Sequence, residues 1–460
     1  MPAGIVPRRR HEPYQYFLKA SLLVAITVGW LLGAIELLAI TSHGSFARQL
    51  ISPALFQVHG QSQIVGWVGL FIMGISYQVI PRQRRVAIHT PVMAWIVLAL
   101  MLAGIVLRAV SQPLAAGSIV FGSLAALSAG LELASLGLFM FGLIQGRVMA
   151  DSIQGPERFS RAALQWFAVA LVLNLSACVY IAVRSTSVVP DWLDRTVIVV
   201  ELFGFILAMI FGVNGRNLPL FMRIKAAPAE RLRPVLYLLP AAVVLCAAGQ
   251  AMSGFWPFAG QALAASGWLG LIACAGLYVK ATGLLGPRNK QILTAGESKW
   301  YEAYVLGAYL WLAIGLLFEL APAVVSLAGR GLPGDDLFLA GLHAITVGFI
   351  STMIMGMAAR IVPAFAATRL HSRALFVATW WCLMAGTLVR VPSQALYTTV
   401  GGPFVLALGV SGVIQLLGML LFAWNLWRTL DTSAAHPAEA AARRPVAIAT
   451  SLRKEEFVHG

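Results

Sequence analysis

Two histidines differ from the others in this sequence because they lie inside long apolar stretches. They are His59 and His343. The remaining six lie in more polar segments or near the chain ends: His11, His43, His89, His371, His436 and His459. At a rise of 1.5 Å per residue, each of the two lies roughly 10 Å into its stretch if that stretch is a helix. Either one alone is explained by a hydrogen bond between helices, but the depth-matched pair predicts the two axial ligands of one haem iron.

Two arginines could supply the cations that haem propionates need. Arg108 and Arg390 lie in the related segments AGIVLRAVSQ (103–112) and AGTLVRVPSQ (385–394). A guanidinium can bind a carboxylate through two parallel hydrogen bonds. The alternative is that both side chains extend from the ends of their helices towards the polar interface of a membrane. The sequence leaves both explanations open.

Four carboxyl groups also lie inside apolar stretches, where ionisable side chains are costly and therefore of functional interest. They are Glu36, Glu132, Glu201 and Glu319. Glu201 could act in a proton relay or bind a metal, or it could be a neutral acid hydrogen-bonded to a neighbour. The cysteines show no metal-binding spacing: Cys178, Cys246, Cys274 and Cys382. These residues therefore assign no site to copper.

The elements that carry these residues are membrane-spanning helices. Of the 460 residues, 59% are hydrophobic and only 11% are charged, which is far from the composition of a soluble domain. Since a span needs about 20 apolar residues, the sequence predicts an all-α transmembrane bundle of about twelve helices. The predicted spans are 17–40, 54–80, 90–111, 117–146, 162–184, 193–217, 235–252, 258–281, 301–325, 337–362, 374–392 and 401–427.

The net charge of +15 is explained by membrane orientation, so no nucleic-acid partner is predicted. With the N-terminus inside, all but six of the 33 Lys and Arg residues lie on the inner side, as the positive-inside rule requires. The six on the outer side are Arg48, Arg108, Arg184, Arg195, Arg330 and Arg390. We therefore expect a multi-pass protein of a bacterial plasma (inner) membrane with both termini cytoplasmic. Its predicted parts are a cytoplasmic segment (1–16), a twelve-helix domain in the lipid bilayer (17–427) and a disordered cytoplasmic tail (428–460).

One pattern of glycine and proline occurs in three of the predicted helices. The segments are GWVGLFIMGISYQVIP (66–81), GFILAMIFGVNGRNLP (204–219) and GFISTMIMGMAARIVP (348–363). In each segment the first Gly is followed at the same spacing by a second Gly, then by Gln or Arg, and then by Pro. Small residues allow membrane helices to approach each other closely. The repeat predicts three pseudo-symmetric units of four helices.

Two of these segments also resemble known protein families. VHGQSQIVGWVGLFIMGISYQVIPR (58–82) resembles the second helix of subunit I of the haem–copper oxidases, where a histidine followed by a small residue binds low-spin haem. LHAITVGFISTMIMGMAARIVPAF (342–365) resembles the NnrS family, whose members are distant relatives of those oxidases. The resemblance implies a membrane haem protein with twelve helices in three arcs of four. It also implies a link to nitric oxide and nitrosative stress, with copper as a further cofactor of the family.

The sequence departs from the oxidases at their second metal. An oxidase or nitric oxide reductase of that superfamily needs three metal-binding histidines from helices 6 and 7, and a second histidine on helix 10. The predicted helices 193–217 and 235–252 contain no histidine, and His343 is alone in 337–362. We therefore expect a low-spin b-type haem with two histidine ligands and no complete oxygen-reducing copper site. Whether the protein is an enzyme is left undecided.

These observations favour a haem-binding membrane protein of NnrS type that handles nitric oxide or responds to nitrosative stress. Between helices 2 and 10, we expect an apolar lining around the haem. One alternative is a transporter that uses its intramembrane acids to move a small solute or a metal. Another is an electron-transfer relative of oxidase subunit I. The sequence identifies no redox partner.

The predicted topology can be tested with reporter fusions along the chain. Because basic residues concentrate on one side, some fusion points should all report the cytoplasm: Arg85, Arg161, Arg233, Lys290 and Arg373. Fusions after Gln112 and Gly331 should report the opposite side. A cytoplasmic signal after Gly331 would contradict the boundaries of helices 9 and 10, and with them the matched depth of the two histidines.

Overall fold

The computed structural model describes residues 12–42, 52–84, 91–145, 155–288, 299–329, 334–366 and 368–435. Within these ranges the chain forms twelve long helices and no strand. Eleven of them are α1 (Pro13–Thr41), α3 (Pro91–Ser111), α4 (Ile119–Gln145), α5 (Glu157–Arg184), α6 (Asp191–Phe221), α7 (Ala229–Ser253), α8 (Pro257–Thr282), α9 (Lys299–Leu327), α10 (Gly334–Phe365), α11 (Arg373–Leu396) and α12 (Pro403–Ala435). Helix α2 runs without a break through Pro53–Gln61, Ser62–Gly69 and Leu70–Arg84.

The prediction of an all-α bundle with twelve membrane-spanning helices is confirmed. In the described part of the chain, all twelve helices are long and apolar enough to cross a membrane. Helical structure begins at Pro13 and continues to Ala435, so it extends beyond both ends of the predicted domain 17–427. Most of the predicted flanking segments, 1–16 and 428–460, lies outside the described residues.

The twelve helices form a closed ring of three four-helix units. Consecutive units meet through the last helix of one and the first helix of the next, so that α4 packs on α5, α8 on α9, and α12 on α1. The second helix of each unit lies at the centre. In the apolar stretches of α2, α6 and α10, 67%, 89% and 61% of the residues are buried, compared with 33–44% in the other nine helices. Only these three central helices are covered by protein on most sides.

The central helices share a second feature that the sequence did not predict. Each contains a π-helical segment: Ser62–Gly69 in α2, Val200–Leu207 in α6 and Ala344–Ser351 in α10. Each segment begins four residues before the first Gly of the repeated motif. A π-helical turn is wider than an α-helical turn and is frequent at functional sites. The repeat is therefore present in the backbone geometry as well as in the residue pattern.

The repeated glycines explain why the units have the same geometry. Each first Gly lies against the first helix of its own unit, and a Cβ there would lie too close to a side chain of that helix. The distances would be 2.4 Å to Val24 from Gly66, 2.9 Å to Trp166 from Gly204 and 2.5 Å to Trp311 from Gly348. The second Gly of the motif is Gly74, Gly212 or Gly356. It contacts the same first helix, at least one helical turn from the point that the first Gly contacts. The motif thus sets the close approach of the first two helices in each unit.

This packing role can be tested at Gly212. An alanine Cβ at this position would lie 2.8 Å from the backbone nitrogen of Ser160 and 3.1 Å from the carbonyl oxygen of Pro156. Because backbone atoms cannot turn away, Gly212→Ala should lower the free energy of unfolding by about 1–3 kcal/mol. Thermal unfolding of the protein in detergent measures this.

The matched control is Gly137→Ala on α4, where an added Cβ meets nothing within 4 Å. It should leave stability unchanged or raise it by about 0.5–1 kcal/mol, since Ala favours a helix over Gly. Equal unfolding temperatures for the two variants would contradict the packing role.

Candidate functional site

A cavity of about 290 Å³ lies where the central helices α2, α6 and α10 begin. Helices α1, α2, α6, α10 and α11 form most of its wall, and side chains from α3, α5 and α12 reach it. All four predicted site residues line it: His59 from α2, Arg108 from α3, His343 from α10 and Arg390 from α11. Its size suits a bound small molecule.

His59 is oriented by a kink in α1. At Gly29 this helix leaves helical geometry, with φ −81° and ψ −106°, and the Gly29 carbonyl lies 2.9 Å from Nδ1 of His59. Gly33 makes room for the ring, since a Cβ there would lie 2.7 Å from Cε1 of His59. Because a carbonyl oxygen can only accept, Nδ1 must donate and Nε2 keeps its lone pair. This is the tautomer that binds a metal through Nε2.

His343 has the same tautomer for an independent reason. Its Nδ1 donates to the carbonyl of Leu339 at 2.8 Å. Its Nε2 lies 3.1 Å from Nη2 of Arg390, and a guanidinium can only donate. His343 and His59 are near enough to interact electrostatically. Counted from the repeated glycines Gly66 and Gly348, the two histidines differ in depth by only about 3 Å.

Arg390 is a buried cation with free hydrogen-bond donors. Its side chain is 4% exposed, and Nε and Nη1 have no hydrogen-bond partner among the described residues. Glu36 of α1 is its nearby carboxyl group, and one oxygen of Glu36 also lacks a partner in this part of the chain. A buried polar group without a partner is costly. The free donors therefore indicate a place for a ligand that accepts hydrogen bonds.

Arg108 differs from Arg390 although the two hold related positions in the repeat. Its Nε donates to Gln112, and its Nη1 donates to Cys178 and, at 3.0 Å, to Oδ1 of Asn174. The side chain is buried rather than extended towards the membrane interface. Two of its three nitrogens are thus engaged by protein groups.

Arg108 stands at the centre of a buried polar network. Oε2 of Glu132 on α4 accepts from Gln61 at 3.0 Å and from Asn174 at 3.1 Å. Asp194 and Glu201 of α6 are further acidic neighbours of Arg108. The network therefore connects helices α2 to α6 around one cation.

The network also fixes α2 on both sides of His59. Gln57, two residues before His59, bonds both backbone groups of Val189, at 2.8 Å to the carbonyl and 3.0 Å from the nitrogen. Gln112 donates to Gln57 at 2.9 Å. Gln61, two residues after His59, donates a hydrogen bond to Glu132. Networks of this kind hold a helix in one position because every bond depends on the others.

The lining of the cavity is mostly apolar, as expected, but it also contains polar groups. Glu36, Asp194 and Glu201 line it together with several glutamines. One of the polar residues can be recognised from the sequence, because Gln61 holds the position in the first unit that His343 holds in the third. Asn174 and Asp194 carried no such signal, since a single polar residue in a span has no pattern by which its partners can be recognised.

The metal-binding and hydrogen-bonding groups of the cavity fit a haem. Two neutral imidazoles present Nε2, and a buried guanidinium has donors to spare. Haem iron takes axial histidines, and its propionates need cations. Within the described residues, no three His, Cys, Asp or Glu side chains come together as a cluster for a single metal ion.

Comparison with solved structures defines the class of protein. A haem–copper terminal oxidase dimer determined by cryo-electron microscopy has a similar fold, with a TM-score of 0.63. The similarity covers 91% of this chain and 84% of that one, at 11% sequence identity. At this identity the likeness concerns the fold alone. The chain is a twelve-helix membrane protein with the fold of the haem–copper oxidases.

Sequence comparison gives the family within that class. The family model described as NnrS protein matches residues 12–432. No curated protein matches the chain. The chain belongs to the NnrS family, which confirms the predicted resemblance.

The unequal bonding of the two arginines predicts unequal effects on stability. Arg108→Met leaves Glu132, Asp194 and Glu201 without their cation and should cost about 3–5 kcal/mol. Arg390→Met removes a cation whose donors are largely free, so its cost should be smaller. Thermal unfolding in detergent of protein prepared without haem measures both. Equal losses, or a larger loss at Arg390, would contradict the different roles of the two arginines.

Proposed function

We propose that this protein binds one b-type haem in the cavity between α2 and α10, with His59 and His343 as axial ligands. The observation that carries the proposal is the shared tautomer of the two imidazoles. Metal-binding histidines commonly donate their other ring nitrogen to a carbonyl, which orients the ring and raises its basicity. Here the carbonyls belong to Gly29 and Leu339.

Arg390 has two roles in this proposal. It donates to Nε2 of His343, the atom that would bind iron, so it must give up this contact when the haem enters. Its guanidinium would then be able to hold a propionate through Nε and Nη1, which have no partner among the described residues. Arg108 is the weaker candidate for a propionate because Asn174 and its neighbours already engage it.

Nitric oxide enters the proposal through the family resemblance. When bound, the haem would supply a one-electron redox centre and, on loss of one histidine, a place for nitric oxide. The chain's own residues orient the two imidazoles and hold the cations. We propose handling of nitric oxide or response to nitrosative stress, and we assign no residue to copper. The proposed location is a bacterial inner membrane with both termini cytoplasmic.

The absorption spectrum of the purified protein tests haem ligation. The wild-type protein should show the spectrum of a six-coordinate low-spin haem. His59→Ala and His343→Ala should each abolish it or convert it to a high-spin spectrum, since one histidine leaves an open sixth position. His371→Ala is the control, because His371 lies in the segment between α10 and α11, and it should keep the wild-type spectrum.

Gly33→Ala gives a second readout that keeps both ligands. Its added methyl group would lie 2.7 Å from the ring of His59, so it should alter the spectrum without removing either histidine. Low-spin haem in both histidine variants would overturn the assignment of ligands. A wild-type protein without a Soret band would overturn haem binding and favour the transporter alternative.

A further inference from the structure

The cavity has an acidic side around Glu201. Glu201 lies in the π-helical segment of α6 and lines the cavity. Its side chain is 1% exposed, and Oε1 has no hydrogen-bond partner in the described part of the chain. Glu132 is 0% exposed, and its Oε1 likewise has no partner there. Two buried carboxyl groups thus each have an oxygen that is free to bind something.

The charges around Glu201 do not balance if every acid is ionised. Arg108 from α3, Glu132 from α4 and Asp194 from its own helix are its charged neighbours. Cys178 of α5 accepts a hydrogen bond from Arg108, and His59 and His343 also line the cavity. The group therefore has three carboxyl groups and one buried cation, since Arg195, which is also near Asp194, is paired with Asp335. Carboxylates that share a low-dielectric site cannot all be ionised, so the group holds at least one proton.

Glu201 is the natural place for that proton. Oε2 of Glu132 already accepts two hydrogen bonds, which stabilise a carboxylate. Among the described residues, no hydrogen bond to Glu201 is seen, and two of its three charged neighbours are acidic. Burying a carboxylate that accepts no hydrogen bond is costly, and burying the neutral acid costs much less.

A polar path joins this group to the segment between α5 and α6. From Glu132 it runs through Asn174 and Arg108 to Gln112. Gln112 donates to the carbonyl of Ser187 at 3.1 Å. Ser187 lies between the two helices, two residues before Val189, which lines the cavity. The acids are therefore connected by polar groups to the end of the bundle at which α6 begins.

We propose that Glu201 and Glu132 form a proton-binding site that takes up one proton when a cofactor in the same cavity gains one electron. The cofactor is the haem of the proposed function, on which this inference rests. The positive iron of an oxidised haem would favour the ionised form of Glu201 and so expel the proton that Glu201 holds in the haem-free protein. On reduction, an external one-electron donor would supply the electron, and one H⁺ from the solvent would return to a carboxylate oxygen of Glu201. The net charge of the cavity is unchanged, which removes the electrostatic cost of adding charge in a low-dielectric interior. Oxidation returns the electron and the proton.

Infrared spectroscopy tests the proton site independently of haem. The purified protein should show the carbonyl band of a buried protonated carboxyl group that shifts on deuterium exchange. Glu201→Gln should remove this band, and Glu132→Gln should shift it. The control is Glu319→Gln, which changes another buried glutamate, on α9, and should leave the Glu201 band in place. A spectrum of Glu201→Gln that retains every protonated carboxyl band of the wild type would overturn the proposal.

Potentiometric titration of the haem-loaded protein tests the coupling. One proton per electron shifts the binding equilibrium tenfold per pH unit, so the midpoint potential should fall by up to about 59 mV per pH unit. Glu201→Gln should lose most of this slope, whereas Glu319→Gln should keep it. A wild-type potential that does not depend on pH, or an unchanged slope in Glu201→Gln, would overturn the coupling. If no haem binds, the proposed function fails, and the infrared measurement still decides whether the proton site exists.

Discussion

Hydrocarbon offers no hydrogen-bond partner, so each polar group inside this bundle must be satisfied by the chain itself or by something that it binds. Most of them are satisfied by the chain. His59 donates to the Gly29 carbonyl, and Arg108 donates to three side chains. Unpartnered polar atoms of Arg390, Glu36 and Glu201 belong to residues that line one cavity. Their coincidence there is the strongest sign that the cavity is built for a ligand.

The same constraint gives the glycine motif its functional importance. Without a hydrophobic effect between helices in lipid, close packing at small residues holds the bundle together. The motif brings the first helix of each unit against the second, which places α2, α6 and α10 at the centre of the ring. In the first unit this contact also brings Gly29 and Gly33 of α1 to His59. The packing that forms the unit therefore also orients one of the two histidines.

Much of this arrangement could be predicted from the sequence, because it depends on long apolar stretches, on a repeated motif and on residues that are rare inside a membrane span. Twelve apolar stretches are unmistakable by length, and the repeat is read from glycines at fixed spacing. His59 and His343 are conspicuous because a histidine inside a span is rare. The kink at Gly29 could not be predicted, since nothing in the local sequence marks it. The network around Arg108 joins residues from five helices whose only common property is polarity, and such partners can be recognised only when the helices are packed.

The contrast between the two arginines has a cause that can be read in the repeat once the structure is known. The partners of Arg108 include Asn174 and Cys178 of α5. Helix α5 begins the unit that follows Arg108, so the corresponding helix next to Arg390 is α1, which begins the unit that follows the third. At the offset that relates Gly66 to Gly204, the positions of Asn174 and Cys178 correspond to Glu36 and Ile40 of α1. Arg390 therefore has a nearby carboxyl group, Glu36, where Arg108 has two hydrogen-bonded side chains.

This difference leaves the cavity with two unlike sides. On the side of the first unit, Arg108 is hydrogen-bonded to protein groups and has acidic neighbours. On the side of the third unit, Arg390 has free hydrogen-bond donors and contacts His343. A ligand with both an acidic edge and a metal would meet its cation and one of its axial ligands on the second side. The acids on the first side would remain free to exchange protons. The pseudo-symmetric fold thus has two chemically different sides in one cavity because the side chains of its units have diverged.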